Sequence, residues 1–226
     1  MANHVHSYIA FREINDKAKA TLQKMFQDRL RTENTHKWFG DLFVGEEVNE
    51  EGGVLTYEQS EKYSWTTEFI GPKWCYIEDY DVDGDEPYLI TESAWSAPEE
   101  GLVRLLEILE KDDPNIITSI TYDDEMPNFV GWYVYKGSEM EEGCEWDDHE
   151  IREEVFFLHP HLKEHWDESN DEWQCDEDGD MTEEAEAAED EYRDVMYEVI
   201  NDLQDNVIES TVKYLTEQGE EEPAQD

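Results

Sequence analysis

The sequence predicts a mixed α+β fold: a βαββαβ segment with one extra strand, followed by an acidic, mainly helical C-terminal extension. Three observations favour this class. Polar and apolar residues alternate in the first segment, apolar residues recur every three or four positions in later ones, and acidic side chains crowd the last third of the chain. The first two patterns are typical of strands and amphipathic helices, and the third marks a change of character along the chain.

The first two elements follow directly from local patterns. Asn3–Phe11 alternates as a strand, and Leu22 and Phe26 share one face of a helix predicted over 17–31. Asn15 or Asp16 supplies the side chain that caps the first turn of this helix. A strand followed by a helix therefore opens the chain.

The remaining elements of the N-terminal part complete the pattern. Aromatic and β-branched runs predict strands over 54–57, 63–70, 74–80, 88–95, 116–122 and 129–135. A second helix begins at Pro98 and ends before Asp113-Pro114. This order is the split βαβ pattern of a ferredoxin-like sandwich with an extra strand.

Charge divides the chain into unequal parts. Residues 1–40 carry seven basic and four acidic side chains, whereas residues 139–226 carry four and 34. We therefore predict a ferredoxin-like domain over 1–137, an acidic helical extension over 138–218 and a disordered tail over 219–226. In the extension, Thr182 caps a long helix that continues toward Thr216.

Four segments carry a resemblance to a known family. They are Met1-Ala2-Asn3, Gly71-Pro72-Lys73-Trp74, Ser93-Ala94-Trp95-Ser96-Ala97-Pro98 and Pro127-Asn128-Phe129-Val130-Gly131. Together they resemble the YubB ferredoxin-like family of phages, plasmids and bacteria, over roughly residues 1–137. The resemblance implies the ferredoxin-like topology and a phage- or plasmid-type accessory role, and it carries no catalytic residue with it.

The overall charge limits the classes of partner. The chain of 226 residues has 62 acidic and 16 basic side chains, a formal net charge of −46. Binding to nucleic-acid phosphates depends on clustered Lys and Arg, so we expect no direct nucleic-acid binding and a cationic partner instead, either metal ions or a basic protein. Hydrophobic residues make up 38% of the chain, and 28 residues are aromatic, which is enough to form a core.

Membrane and redox features favour a protein of the cytoplasm. The sequence contains neither an apolar run long enough to span a bilayer nor an N-terminal signal pattern. The chain has three cysteines, Cys75, Cys144 and Cys175. This odd number, with no Cys-x-x-Cys spacing, favours a reducing compartment. We expect a cytoplasmic protein, within the host cell if the protein is phage-encoded.

An acidic loop has the spacing of half a calcium site. Its carboxylates are Asp79, Asp81, Asp83 and Asp85. The first three match positions 1, 3 and 5 of an EF-hand loop, but position 12, where a bidentate Glu is needed, is Ile90. An acidic β-turn that attracts divalent cations weakly is the alternative.

Two histidines form a second candidate metal site. His161 and His165 would share one helical face, a spacing that suits zinc, and an ordinary packed histidine cluster is the alternative. His4 and His6 lie on one side of the first strand and are interpreted as sheet-surface residues. We expect no resident cofactor beyond weakly bound divalent cations.

The sequence contains no pattern that predicts an enzyme. It has no Gly-x-Ser-x-Gly segment and no glycine-rich phosphate loop, and 62 carboxylates hide any catalytic pair. A non-enzymatic protein is therefore expected.

The acidic surface is the main candidate for a function. Glu186, Asp190, Asp194, Glu198 and Asp202 recur every four residues along the last helix, and we name them the acidic stripe. Like charges at this spacing disfavour a helix, so something other than local stability accounts for them. Their spacing along the helix, about 6 Å, is a coarse match to phosphates on a strand. The stripe, assisted by the acids between Asp167 and Asp180, would occupy the basic channel of a nucleic-acid-binding host protein as a DNA mimic.

Three alternatives stay open at this stage. The acidity could serve solubility alone in a YubB-like domain of unknown role. The net positive residues 1–40 could also bind the acidic extension within the same molecule. Weak divalent-metal binding is a third reading of the same charges.

The charge imbalance generates a prediction about stability. With 46 uncompensated negative charges, self-repulsion opposes folding, so sodium chloride or millimolar magnesium should raise the melting temperature by screening it. Calorimetry over a range of ionic strengths measures this effect. A melting temperature that stays flat would mean that the charges are already paired or too dispersed to matter.

Overall fold

A seven-stranded antiparallel sheet, flanked on both faces by helices, organises the molecule. The structure is a computed structural model that describes residues 3–31, 33–47, 54–125 and 128–221, with the side chains described as far as residue 218. The described strands are β1 His4–Glu13, β2 Lys37–Trp38, β3 Cys75–Asp81, β4 Tyr88–Ala94, β5 Ile117–Asp124, β6 Phe129–Lys136, β7 Glu139–Asp147, β8 Trp166–Asp167 and β9 Glu172–Trp173. The described α-helices are α1 Asp16–Arg29, α2 Tyr57–Ser60, α3 Tyr63–Phe69, α4 Glu99–Leu109, α5 Asp148–Leu158, α6 Pro160–Lys163 and α7 Glu183–Glu221.

The sheet confirms the α+β class and enlarges the predicted arrangement. Its strand order is β2-β3-β4-β1-β5-β6-β7, with every neighbouring pair antiparallel. Because β2 extends one edge and β6 and β7 extend the other, the order differs from that of the predicted sandwich with a single extra strand. The predicted long C-terminal helix is present as α7.

Two predicted strands are wrong. The segment 54–57 contains an isolated bridge at Val54 and only the first residue of α2, and the segment 63–70 forms helix α3. In α3 the rings of Trp65 and Phe69, four residues apart, stack at 5.3 Å, a contact that helical spacing creates. Packing of this aromatic face against the core thus outweighs the β-propensity of the individual residues.

The main core lies on one face of the sheet, under α1 and α4. Asn15 caps α1, since its side chain accepts the backbone N–H groups of Lys17 and Ala18 at 2.9 Å. The core on this side is built from these fully buried side chains, among others: Ile9, Phe11, Leu22, Phe39, Leu102, Leu105, Leu106 and Ile120. This face holds the helices that the sequence predicted for the N-terminal part.

The opposite face of the sheet is covered in part by α5 and α7. Trp132 and Val134 of β6 pack against Ile208 and Leu215 of α7. The buried side chain of Gln204 also donates to the carbonyl of Gly131 at 3.1 Å, which joins the helix to the strand. The acidic extension is therefore one side of a layered structure, held by apolar contacts.

The domain boundary predicted at residue 137 falls inside a β-hairpin. Strand β7 pairs with β6 along its length, from Phe129 opposite Asp147 to Lys136 opposite Glu139. The sheet therefore continues past the predicted boundary. The aromatic pair Trp166 and Trp173, with rings 5.2 Å apart, likewise belongs to a short β-hairpin after α6.

The ends of the C-terminal part differ slightly from expectation. Thr182 Oγ1 accepts the N–H of Ala185 at 3.2 Å, as a capping residue does. Helix α7 continues to Glu221, three residues into the predicted disordered tail, and residues 222–226 of that tail lie outside the described residues. In the part of the chain that the structure describes, no helix combines the length and apolarity needed to cross a membrane.

Removal of the C-terminal half tests the predicted division of the chain. A fragment ending at Gly137 would uncover Ile117, Trp132 and Val134, which are at most 4% exposed in the full chain. We expect this fragment to aggregate or to lose its cooperative thermal transition, because it exposes an apolar patch on a large sheet. Circular dichroism melts and size-exclusion chromatography measure both. A soluble, cooperatively melting fragment would support independent folding of residues 1–137.

Candidate interaction surface

The acidic stripe lies on the outer side of α7. All five of its carboxylates are exposed. Each step of four residues turns by about 40° around the helix, so the stripe winds slowly along the solvent side while Val199, Ile200 and Ile208 face inward. The predicted stripe residues are thus brought onto one continuous surface.

Few cations neutralise this surface. Arg193 Nη1 lies 3.5 Å from the Asp190 carboxylate, and its Nη2 lies 2.8 Å from Glu189. Within the described residues, the contact with Asp190 is the one ion pair that a stripe carboxylate makes. The stripe therefore presents mostly unpaired charge to solvent.

The cations near the N-terminus are paired elsewhere. Lys17 contacts Asp112 at 2.6 Å, and Arg29 contacts Glu46 at 2.6 Å. Arg31 pairs with the fully buried carboxylate of Asp41. In the described structure these three cations lie against acids of the N-terminal half.

The acidic loop between β3 and β4 folds as a hydrogen-bonded turn. The Asp81 carboxylate accepts the N–H groups of Gly84 and Asp83 at 2.9 Å, and these bonds hold its pKa below the usual range. Asp83 accepts from Gln23, and Asp79 accepts the hydroxyl of Tyr88 at 3.1 Å. The carboxylates of Asp79, Asp81 and Asp83 therefore accept hydrogen bonds from separate donors, as expected for an acidic β-turn.

The two candidate histidines do not share a helical face. Helix α6 ends at Lys163, so His165 lies beyond it, and its N–H donates to the carbonyl of Leu162. His161 Nε2 instead lies 2.8 Å from the Glu191 carboxylate on α7. Among the residues that the structure describes, no group of three or more His, Cys, Asp or Glu side chains is arranged to hold a metal ion.

A second surface, which the sequence did not reveal, lies beside α7. Helices α5 and α7 cover β5, β6 and β7, and on the same side the outward residues of β3, β4 and β1 are left uncovered; we name this the open face. The strand registers align one row of residues across this face. His6 pairs with Glu92 on one side and with Asp123 on the other, and Asp123 in turn pairs with Val130, which lies under the helices. The open face is therefore continuous with the surface on which α7 rests.

Aromatic rings cover much of the open face. Tyr76 stacks on Trp74 at 5.0 Å and on His36 at 4.4 Å between ring centroids. Further along the strands, Tyr8 and Tyr88 lie 5.7 Å apart, and Tyr8 is 41% exposed. The alternation of β1 predicted only that His4 and His6 are on a sheet surface; the neighbours from β3 and β4 depend on the register.

The polar groups between these rings are mostly acidic. His4 contacts the Glu92 carboxylate, and His6 Nδ1 lies 3.6 Å from Glu78. Burial raises the pKa of the Asp123 carboxyl, and His6 partly offsets this effect. The open face thus combines aromatic surface with carboxylates and histidines.

Segments that carry the family resemblance meet at one end of the sheet. The fully buried Asp124 carboxylate accepts from the side chain of Asn3 at 3.0 Å and from the N–H of Asn128 at 2.7 Å. The carbonyl of Asn3 also accepts the N–H of Trp95, a residue held at a φ of 69°. Motif residues 1, 2 and 127 lie outside the described residues. These contacts give Asn3, Trp95 and Asn128 a structural role, since an unpaired buried carboxylate would be costly.

A smaller acidic cluster is formed by Glu99 and Glu100 at the start of α4 together with Glu145 of β7. Tyr122 donates to Glu145 at 2.8 Å, and its ring packs directly over Gly131, where any Cβ would clash. Burial, together with Glu100 and Glu145, raises the pKa of Glu99 to about 7. The cluster concentrates negative charge near the core, and within the described residues it has no cationic partner.

Comparison of the chain with models of protein families, with curated proteins and with solved structures finds no match.

The environment of Glu99 predicts a pH dependence of stability. Between about pH 4.5 and 7 the folded chain holds a proton on Glu99 that the unfolded chain releases, so stability falls as the pH rises through this window and levels off above it. Glu99→Gln removes the effect. At pH 8 we expect this variant to be more stable by about 1–2 kcal/mol, allowing for partial exposure, and at pH 4.5 the difference should vanish.

Denaturant unfolding of both proteins across this pH range measures the difference. Glu107→Gln, an exposed substitution on the same helix, is the control and should leave the pH profile unchanged. Parallel profiles for wild type and Glu99→Gln would contradict the assignment.

Proposed function

We propose that this chain is a non-enzymatic, acidic interaction protein that binds a basic, nucleic-acid-binding host protein through the acidic stripe. The observation that carries the proposal is the exposure of all five stripe carboxylates with a single ion pair among them in the described structure. A row of unpaired charge on a rigid helix attracts a complementary groove without first having to release internal partners.

The dimensions of α7 support a mode of action as a DNA mimic. A helix of 39 residues is about 58 Å long, and its stripe spaces five carboxylates about 6 Å apart over about 24 Å of that length. A negative surface of this length speeds association with a cationic channel and competes with DNA or RNA for the same site. The protein itself would bind no nucleic acid, no membrane and no resident cofactor, with divalent cations held only weakly.

The proposal extends to the fold and to the setting. Strands β3, β4, β1 and β5 are adjacent, α1 connects β1 toward β3, and α4 connects β4 to β5. We propose that these elements form a ferredoxin-like core of the YubB type, to which β2, β6, β7 and the helical side were added. On this reading the chain is a phage- or plasmid-type accessory protein that works in the cytoplasm of the host.

Neutralising the stripe tests the function. A variant in which the five carboxylates become Gln or Asn keeps side-chain size and removes i,i+4 repulsion, so it should be at least as stable as wild type. Immobilised wild type should capture nucleic-acid-binding proteins from a host lysate, and salt or added duplex DNA should release them. We expect the variant to capture them at least about tenfold less well.

A matched control separates the stripe from net charge. It neutralises the same number of exposed acids elsewhere, at Glu33, Glu58, Glu107, Glu139 and Glu141. This control should retain most of the captured proteins. Equal losses in both variants, or no basic partner captured by wild type, would favour acidity that serves solubility.

A further inference from the structure

We propose that the open face binds an extended, arginine-rich segment of the basic partner, with guanidinium groups stacked on Tyr8 and Tyr88 and paired with the surrounding carboxylates. This inference rests on the proposed function and adds a second contact surface to it. The acidic stripe would provide long-range attraction, and the open face would recognise the side chains at short range.

The charges on the open face select a cationic ligand. These carboxylates lie on it or at its edge: Glu78, Asp79, Asp81, Glu92, Asp123 and Glu125. Arg12, at the far end of β1, donates to the hydroxyl of Ser119 and is the one guanidinium described beside them. Aromatic sheet surfaces can also stack nucleobases, but a phosphate backbone would here meet a concentration of negative charge.

The exposed rings are available to a cation. Elsewhere the chain places its own cations over aromatic rings: Lys73 Nζ lies 5.1 Å from the ring centroid of Tyr63, and the guanidinium of Arg31 lies 4.4 Å from that of Tyr57. In the described structure no Lys or Arg lies over Tyr8 or Tyr88. These two rings therefore offer stacking surface that only an external ligand can use.

The shape of the surface fits an extended segment. Successive outward residues of a strand are about 7 Å apart, which is also the repeat of alternate side chains in an extended peptide. His6 and Tyr8 on β1 mark two such rows, with Glu92 of β4 opposite His6 and Tyr88 of β4 in the row after Tyr8, opposite Ala10. A guanidinium suits these rows better than an ammonium, because its planar group stacks on a ring and pairs with a carboxylate at once.

The open face and the acidic stripe meet at Tyr197 on α7. This side chain is 44% exposed, and the preceding residue, Met196, packs in one cluster with Val130, which pairs with Asp123 in the row that crosses the open face. Asp194, one turn earlier on the helix, belongs to the stripe. A single basic segment can therefore pass from one surface to the other.

Binding of defined peptides tests the inference. Fluorescence anisotropy with labelled homopeptides of arginine and of lysine, each about ten residues long, measures affinity at about 150 mM salt. We expect the arginine peptide to bind more tightly. The double variant Tyr8→Leu/Tyr88→Leu should weaken its binding by roughly five- to thirtyfold, with an unchanged salt dependence because no charge is removed.

The matched control keeps the rings. Tyr8→Phe/Tyr88→Phe should bind within about twofold of wild type, because cation–π stacking needs the ring and not the hydroxyl. Thermal melts check that each variant is folded. In wild type, adding the arginine peptide should also shift the ring-proton resonances of His4 and His6, a readout that needs no substitution.

The outcomes separate this inference from the proposed function. If Tyr8→Leu/Tyr88→Leu binds like wild type while the neutralised stripe variant loses binding, the open-face inference is overturned and the stripe proposal stands. If the stripe variant binds like wild type while Tyr8→Leu/Tyr88→Leu loses binding, the open-face inference stands and the stripe proposal is overturned. Tighter binding of a labelled oligothymidylate than of the arginine peptide would overturn the inference in favour of a nucleic-acid surface.

Discussion

Burial of strand β6 on both of its faces is the constraint on which the architecture depends. Phe129, Tyr133 and Tyr135 point into the core under α1 and α4, while Trp132 and Val134 point toward α7. Without cover on the second side, a large apolar surface would meet water, which costs roughly 25 cal/mol for every Å² exposed. The two helical layers are therefore coupled through a single strand, and a division of the chain by charge does not coincide with its packing.

The same burial explains how so acidic a helix is held in place. Repulsion between carboxylates four residues apart on α7 costs about 0.2–0.5 kcal/mol per pair. Each fully buried aliphatic side chain, such as Ile200 or Ile208, stabilises by about 1.5–3 kcal/mol. Apolar contact thus prevails over like-charge repulsion, and the charge is free to lie on the outer side, where a partner can reach it. The apolar contacts and the exposed carboxylates therefore occupy opposite faces of one helix.

The two surfaces that we assign to partner binding differ in range and in selectivity. A row of exposed carboxylates acts over about a Debye length and distinguishes little among cations. The rings of Tyr8 and Tyr88, with Glu92 farther along the same strand as Tyr88, act only in contact and depend on the geometry of the cationic group. Placed side by side along α7, they allow attraction and recognition to be provided by different residues.

The sequence by itself determined what local periodicity and composition can encode. The capping of α1 by Asn15, the length of α7, the strand character of β1 and the surface position of His6 all follow from spacings of two, three or four residues. The exposure of the acidic stripe also followed, since apolar and acidic residues alternate around the helix. These features depend on neighbours in the chain, and the physical rules for such neighbours are short-ranged.

Only the tertiary structure decided the features that depend on register and on contacts between distant segments. Tyr76 and Tyr88 became part of one aromatic surface because β3 pairs with β4 and β4 pairs with β1, and a shift of one residue would have turned them to the other face. Helix α3 replaced a predicted strand because Trp65 and Phe69 pack together against the core. His161 and His165 separated because α6 ends between them. Pairing across tens of residues leaves no periodic trace in the sequence, and this is why it could not be predicted from it.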